Sequence, residues 1–158
     1  MKRPGLLITW ALLCFCGAVS AATTIQALAP DGWPAVLKPL AGRPAIVHVW
    51  GLTCGSCVGE LSRWANFTKR HPEVPVVFVE FEPAALAQVQ AVLHREHLDH
   101  GQHWMVQGVP DERWQYQIDP QWGGELPYTI LVSRDGQRQT FSGTADFAKL
   151  QQWLARQR

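Results

Sequence analysis

Cysteine is scarce in this chain. Four occur in 158 residues, and two of them, Cys14 and Cys16, lie inside an apolar N-terminal stretch. If that stretch is cleaved away, Cys54 and Cys57 are the only thiols that remain. A framework of several structural disulfides is then excluded. A second CxxC is also missing, so a four-cysteine zinc site would need a partner chain. Basic tracts are absent: the formal net charge is +1, and loss of Lys2 and Arg3 would bring the 14 basic residues one below the 13 acidic ones. Nucleic-acid binding therefore has no electrostatic support. The sequence shows no internal repeat and no low-complexity segment.

The N-terminus supplies the one long apolar run. Lys2 and Arg3 precede the uncharged residues 6–19, and Ala18-Val19-Ser20 and Val19-Ser20-Ala21 are both small-residue cleavage patterns. Residues 1–21 are read as a signal peptide, with a retained N-terminal membrane anchor as the alternative. The run is short for a spanning helix, which needs about 20 residues. Leu13 and Phe15 stand before the two leader cysteines where a lipoprotein signal needs a small residue. The expectation is a periplasmic or otherwise exported protein, soluble after cleavage and membrane-anchored if the segment is kept. Residues 22–158 suit one domain with a real core.

Hydrophobic periodicity orders that domain. Residues 23–43 carry Pro30, Gly32, Pro34, Pro39 and Gly42 and read as an irregular lead-in with short extended pieces. Residues 45–50 are apolar and partly β-branched, the pattern of a buried central strand. Cys57, Leu61, Trp64 and Phe67 share one face of a helix ending before His71-Pro72. Residues 74–81 form a second buried strand. Glu82-Pro83 is expected to open a helix with Leu86, Val89, Val92 and Leu93 inward, running to about Leu98. Residues 104–106 suggest a short strand and 110–116 a short helix. Residues 128–132 and 139–141 read as strands joined at Arg134-Asp135-Gly136. Thr144 is the expected cap of a last helix burying Phe147, Leu150 and Leu154. The order is β-α-β-α followed by β-β-α. That is an α/β fold with a mixed central sheet flanked by helices.

Cys54-Gly55-Ser56-Cys57 sits where the first strand gives way to the first helix. A thiolate is the nucleophile of disulfide exchange, and a helix N-terminus favours it. CxxC alone is equally half of a zinc site. The surrounding residues carry more. Leu40-Ala41-Gly42-Arg43-Pro44 precedes the strand, Trp50 begins a WxxxCxxC pattern, Glu60-Leu61 follows it, and Leu126-Pro127-Tyr128-Thr129 lies far downstream. On these residues the chain from about Leu40 onward resembles the thioredoxin superfamily, and within it the TlpA/ResA-type exported thiol-disulfide oxidoreductases. The longer span between Cys57 and Pro127 resembles that family's central insertion. Thr53, Ser56, Ser62 and His48 depart from the family's usual residues.

The resemblance implies a thioredoxin-like fold and a redox-active Cys54–Cys57 disulfide, with no other cofactor. Cys54 would attack, Cys57 would resolve, and Pro127 would be a cis-proline whose neighbour Leu126 offers backbone to an incoming peptide. Trp50 would pack beneath the active-site loop. Implied partners are client proteins with cysteines, such as cytochrome c apoproteins or copper-site assembly proteins, and a membrane thiol transporter supplying electrons to a monomer. His48 reads first as a satisfied core histidine and second as a proton relay for Cys57. Glu60 reads as a solvated first-turn carboxylate, with thiol tuning as the alternative. His94, His97, His100 and His103 recur every three residues. His94 and His97 could share a metal on a helix, although a polar helix end is the simpler account. They support an alternative function, a metal-binding or copper metallochaperone domain using Cys54, Cys57 and nearby histidines. The longer cysteine spacing of Sco-type copper proteins argues against that family.

Overall fold

The computed structural model describes residues 23–157; the expected signal peptide, with Cys14 and Cys16, lies outside the described residues. The elements run β1 (Ile25–Leu28), α1 (Trp33–Leu37), a 3-10 turn (Lys38–Leu40), β2 (Ala45–Trp50), α2 (Gly55–Arg70), β3 (Val76–Glu80), α3 (Leu86–Arg95), β4 (Gln102–Val106), α4 (Glu112–Ile118), β5 (Tyr128–Val132), β6 (Arg138–Ser142) and α5 (Phe147–Ala155). The strands form one sheet in the order β1-β4-β3-β2-β5-β6. β1, β4, β3 and β2 are parallel, and β5 joins β2 antiparallel, with β6 antiparallel to β5.

Alternation along β2 and β3 divides the interior into two layers. Ile46, Trp50 and Phe78 face a core built with Leu61, Trp64 and Phe67 of α2, Val89 and Leu93 of α3, and Leu150 and Leu154 of α5. Val47, Val49, Val77 and Val79 face the other way, onto Trp33 and Val36 of α1, Trp114 and Ile118 of α4, and Trp122. Every residue of β2 and of β3 is buried. This is why both segments are almost continuously apolar rather than alternating. Trp114 and Trp122 are thus core of the second layer, and Trp104 is partly buried against it.

The lead-in is more ordered than its prolines and glycines suggest. Ile25–Leu28 pairs with β4 as an edge strand, and Pro34 sits in the first turn of α1, where its missing N–H costs no hydrogen bond. Helix α3 begins at Leu86, not at Pro83, because Ala85 is still extended as its cap. It also stops at Arg95 rather than near Leu98. Leu98 N–H donates to the Leu93 carbonyl and His97 N–H to the His94 carbonyl, with His97 left-handed at φ 60°. This double bond pattern reverses the chain and buries Leu98. Asp146, not Thr144, caps α5: its Oδ1 accepts from Ala148 N–H and Lys149 N–H. The carboxylate two residues nearer the helix reaches both donors.

His97 occupies a backbone conformation that glycine adopts freely. His97→Gly should raise stability by about 0.5–1 kcal/mol, read as a higher urea midpoint with an unchanged slope.

Candidate active site

β2 delivers the chain to the C-terminal end of the central strand at Trp50, and α2 starts five residues later. Cys54 is the residue that caps α2. Its backbone is extended, at φ −78° and ψ 102°, and its Sγ accepts the Cys57 N–H at 3.2 Å. Charge on that sulfur would face the unpaired N–H groups of a 16-residue helix, which favours the thiolate. Cys54 and Cys57 are joined as a disulfide. Cys54 is half-buried and Cys57 is sealed in the core with no accessible surface. An incoming sulfur can therefore reach only the first of them. Ser56 Oγ lies 3.4 Å from the Cys54 sulfur.

The cis-proline segment closes the other side. Leu126–Pro127 is a cis peptide. The Val49–Tyr128 pair is the last of the β2–β5 ladder, so Trp50 and Pro127 stand together at that end of the two strands. Leu126 is partly buried against the cluster that contains both cysteines, and Trp50 packs in the same cluster, 1% exposed. The Pro127 carbonyl accepts Gly143 N–H at 2.8 Å. The loop leading into Pro127 is braced by Trp122, which stacks on Tyr128 with ring centroids 4.9 Å apart and donates its Nε1–H to the Glu125 carbonyl. The Tyr128 hydroxyl donates to Asp119.

Beneath the cysteines lies a buried polar cluster. His48 is fully buried, and its Nδ1 lies 3.0 Å from Thr129 Oγ1. Its Nε2 comes within 3.2 Å of Glu60 Oε1, close enough for charge but poorly aligned for a hydrogen bond. A place in the first turn of the helix predicts a solvated Glu60. It is instead 2% exposed, on the inner face of α2, one turn past Cys57. Its Oε2 accepts Ala145 N–H at 2.7 Å and its Oε1 accepts Trp64 Nε1–H at 3.3 Å. Those donors, supplied by another part of the chain, explain why the carboxylate turns inward. Burial opposes ionisation of Glu60, but His48, Ala145 and Trp64 more than offset it and hold the group below the usual carboxylate range. Burial outweighs Glu60 at His48 and lowers its proton affinity. We assign the pair as a neutral imidazole beside an ionised carboxylate.

Two further acids, Glu80 and Glu82, carry no motif signature in the local sequence pattern. Glu82 follows β3, and its carboxylate clamps Thr53: Oε2 accepts the Thr53 N–H at 2.7 Å and Oε1 the Thr53 hydroxyl at 2.9 Å. A Cβ on Gly51 would lie 2.4 Å from the Glu82 carboxyl carbon, so only glycine permits this approach. Glu80, the last residue of β3, is 1% exposed. The Leu52 and Glu82 N–H groups lie against its carboxyl. The one available signal was chemical: an acid inside a run of residues destined for a doubly buried strand.

The histidine series does not converge. His94 turns to Asp99 at 3.0 Å, His97 lies beyond the helix end, and His103 is buried, stacked on Phe78, with its Nε2 3.3 Å from the His100 carbonyl. Among the described residues, no group of three or more histidines, cysteines and acids is placed to hold a metal ion.

No family model matches the chain, and neither does any curated protein. Solved structures do match. A thioredoxin-related protein from Neisseria meningitidis serogroup B is 22% identical, with a TM-score of 0.64 over 81% of this chain and 96% of its own. A secreted Mycobacterium tuberculosis disulfide oxidoreductase homologous to Escherichia coli DsbE is 17% identical, with a TM-score of 0.60 over 75% and 85%. StoA from Bacillus subtilis is 20% identical, with a TM-score of 0.58 over 74% and 86%. This chain has the thioredoxin-like fold, a mixed sheet flanked by helices.

Glu60→Gln should cost about 1–3 kcal/mol at pH 7, because its acceptors are buried. A group held below its unfolded pKa stabilises above that pKa and loses the contribution as pH falls through the folded value. The variant should therefore lose part of the acid limb of the stability curve, as denaturant titrations below pH 4.5 would show.

Proposed function

We propose that this chain is an exported thiol-disulfide oxidoreductase that exchanges its Cys54–Cys57 pair with cysteines of client proteins. The observation that carries the reading is the asymmetry of the pair: a half-buried sulfur at a helix N-terminus, bonded to one sealed in the core, beside a cis-proline. Reduced Cys54 attacks a client disulfide as the thiolate, forming a mixed disulfide and releasing one client sulfur. Cys57 then attacks Cys54, and the client leaves with both sulfurs reduced while the Cys54–Cys57 bond re-forms. Net reduction of clients is the direction we assign, with electrons returned by a membrane thiol transporter. The N-terminal sequence supports export, and the solved structures with this fold include disulfide oxidoreductases, one of them secreted.

Cys57 must lose a proton before it attacks. His48 faces the same side of the sheet as Trp50, and its imidazole is neutral with an ionised carboxylate behind it. We assign it as the acceptor of that proton, with Glu60 holding the resulting cation. Trp50 supports the loop from below, and Leu126 offers backbone to the client strand.

Cys57→Ser should accumulate covalent client complexes that reductant releases, and Cys54→Ser should form none. Equilibration with glutathione should place the pair well below about −200 mV; a value near −120 mV would make the protein an oxidant instead. Tight stoichiometric copper binding without any disulfide exchange would overturn the reading.

A further inference from the structure

Glu80 is a buried acid that the exchange chemistry above does not use. It ends β3 directly beside Trp50, on the face that carries Phe78 and the cysteine-containing core. Its Oε1 accepts the Glu82 N–H at 3.2 Å, and the Leu52 N–H also lies against the carboxyl. Its Oε2 is buried with no partner. A carboxylate with one bare oxygen in the core is costly, and a carboxylic acid is far less so. Leu52 is two residues before Cys54, and both pack on the same cluster. The next residue, Thr53, is clamped by Glu82, whose N–H is held by Glu80. The acid thus holds Leu52 directly and Thr53 through Glu82, the two residues that precede the attacking sulfur.

We propose that Glu80 is a positioning residue whose proton is coupled to the redox state of the cysteines: it releases the proton more readily beside the disulfide and takes it up when Cys54 becomes a thiolate. The inference rests on the oxidoreductase reading only for its biological setting. Reduction by a dithiol breaks the Cys54–Cys57 bond and forms a disulfide in the reductant. Of the dithiol's two protons one goes to the Cys57 thiol; the other goes to solution when Glu80 is already protonated and to the Glu80 carboxylate when it is ionised, leaving Cys54 as the thiolate. An ionised Glu80 captures the second proton, because the new negative charge nearby raises its proton affinity.

The surroundings leave few other groups to compete. Glu82, on the loop after β3, is the charge that acts on it directly. α2 contributes Cys54 and Cys57 at its head and Glu60 one turn below, paired with His48 of β2. β4 places Met105 alongside and, two residues earlier on the same face, the buried His103 stacked on Phe78, while α3 turns Val89, Val92 and Leu93 inward. With the disulfide formed, burial pushes Glu80 up to about 7 against the Leu52 and Glu82 N–H groups, and the Glu82 charge adds to the rise. The coupling therefore operates above neutral pH, where the acid ionises in the disulfide form.

The test compares wild type with Glu80→Gln, an isosteric change that cannot ionise. The equilibrium constant for reduction by dithiothreitol is measured from pH 5.5 to 9. The ratio of wild type to variant should be flat at the acid end and fall roughly threefold or more by pH 9, since half a pK unit of coupling is about threefold. A ratio that stays flat overturns the proposal. Carbon-13 titration of the Glu80 carboxyl in wild type needs no variant to fold. Its midpoint should be higher in the reduced protein than in the disulfide form, and equal midpoints overturn the proposal. Neither readout depends on a client. If both shift while the protein fails to reduce insulin disulfides, the oxidoreductase reading falls and the coupling stands. If insulin is reduced while both stay flat, the reverse holds.

Discussion

The burial of β2 on both faces is the constraint from which the rest of the molecule follows. A strand with no exposed residue must satisfy its backbone entirely through neighbours, and β3 and β5 do so on its two sides. That fixes β2 at the centre of the sheet and fixes its last residue, Trp50, between Glu80 and Pro127. Only a short loop separates this rigid point from the first turn of α2. The sulfur of Cys54 is therefore positioned by a core strand rather than by a mobile surface segment. The price of the arrangement is that any polar group on β2 must find partners inside the core, and His48 finds them in Thr129 and Glu60.

Acids distinguish this site from a merely apolar one. Glu60 reaches it from α2, Glu80 and Glu82 from the end of β3 and the loop after it, and the three are treated differently by their surroundings. Glu60 has donors enough to stay ionised at depth. Glu82 is spent on the Thr53 backbone and hydroxyl. Glu80 has too few donors for a full charge. The same side-chain chemistry thus gives a fixed charge, a mechanical clamp and a proton-exchanging group, according to how many N–H groups each oxygen meets.

The sequence made legible what depends on local pattern. The apolar runs of β2 and β3, the inward face of α2, and the Asp-Gly turn between β5 and β6 are all set by residues a few positions apart. The CxxC and the segment around Pro127 were legible through resemblance. What was hidden depends on contacts across long separations. Glu60 looked like a solvated helix-start acid because its donor Ala145 lies 85 positions away. Glu82 looked like the opening of α3 because its true partner, Thr53, is on another strand's loop. The end of α3 was overrun because His97, a residue with a side chain, takes the left-handed turn usually left to glycine.

Gly51 gives the site a boundary of its own. The carboxylate of Glu82 occupies the space where any other residue would carry its first side-chain carbon. A substituent there would act as a wedge, levering Glu82 off Thr53 and freeing the peptide that precedes Cys54. The distance between a held thiol and a wandering one is, at this position, a single methyl group.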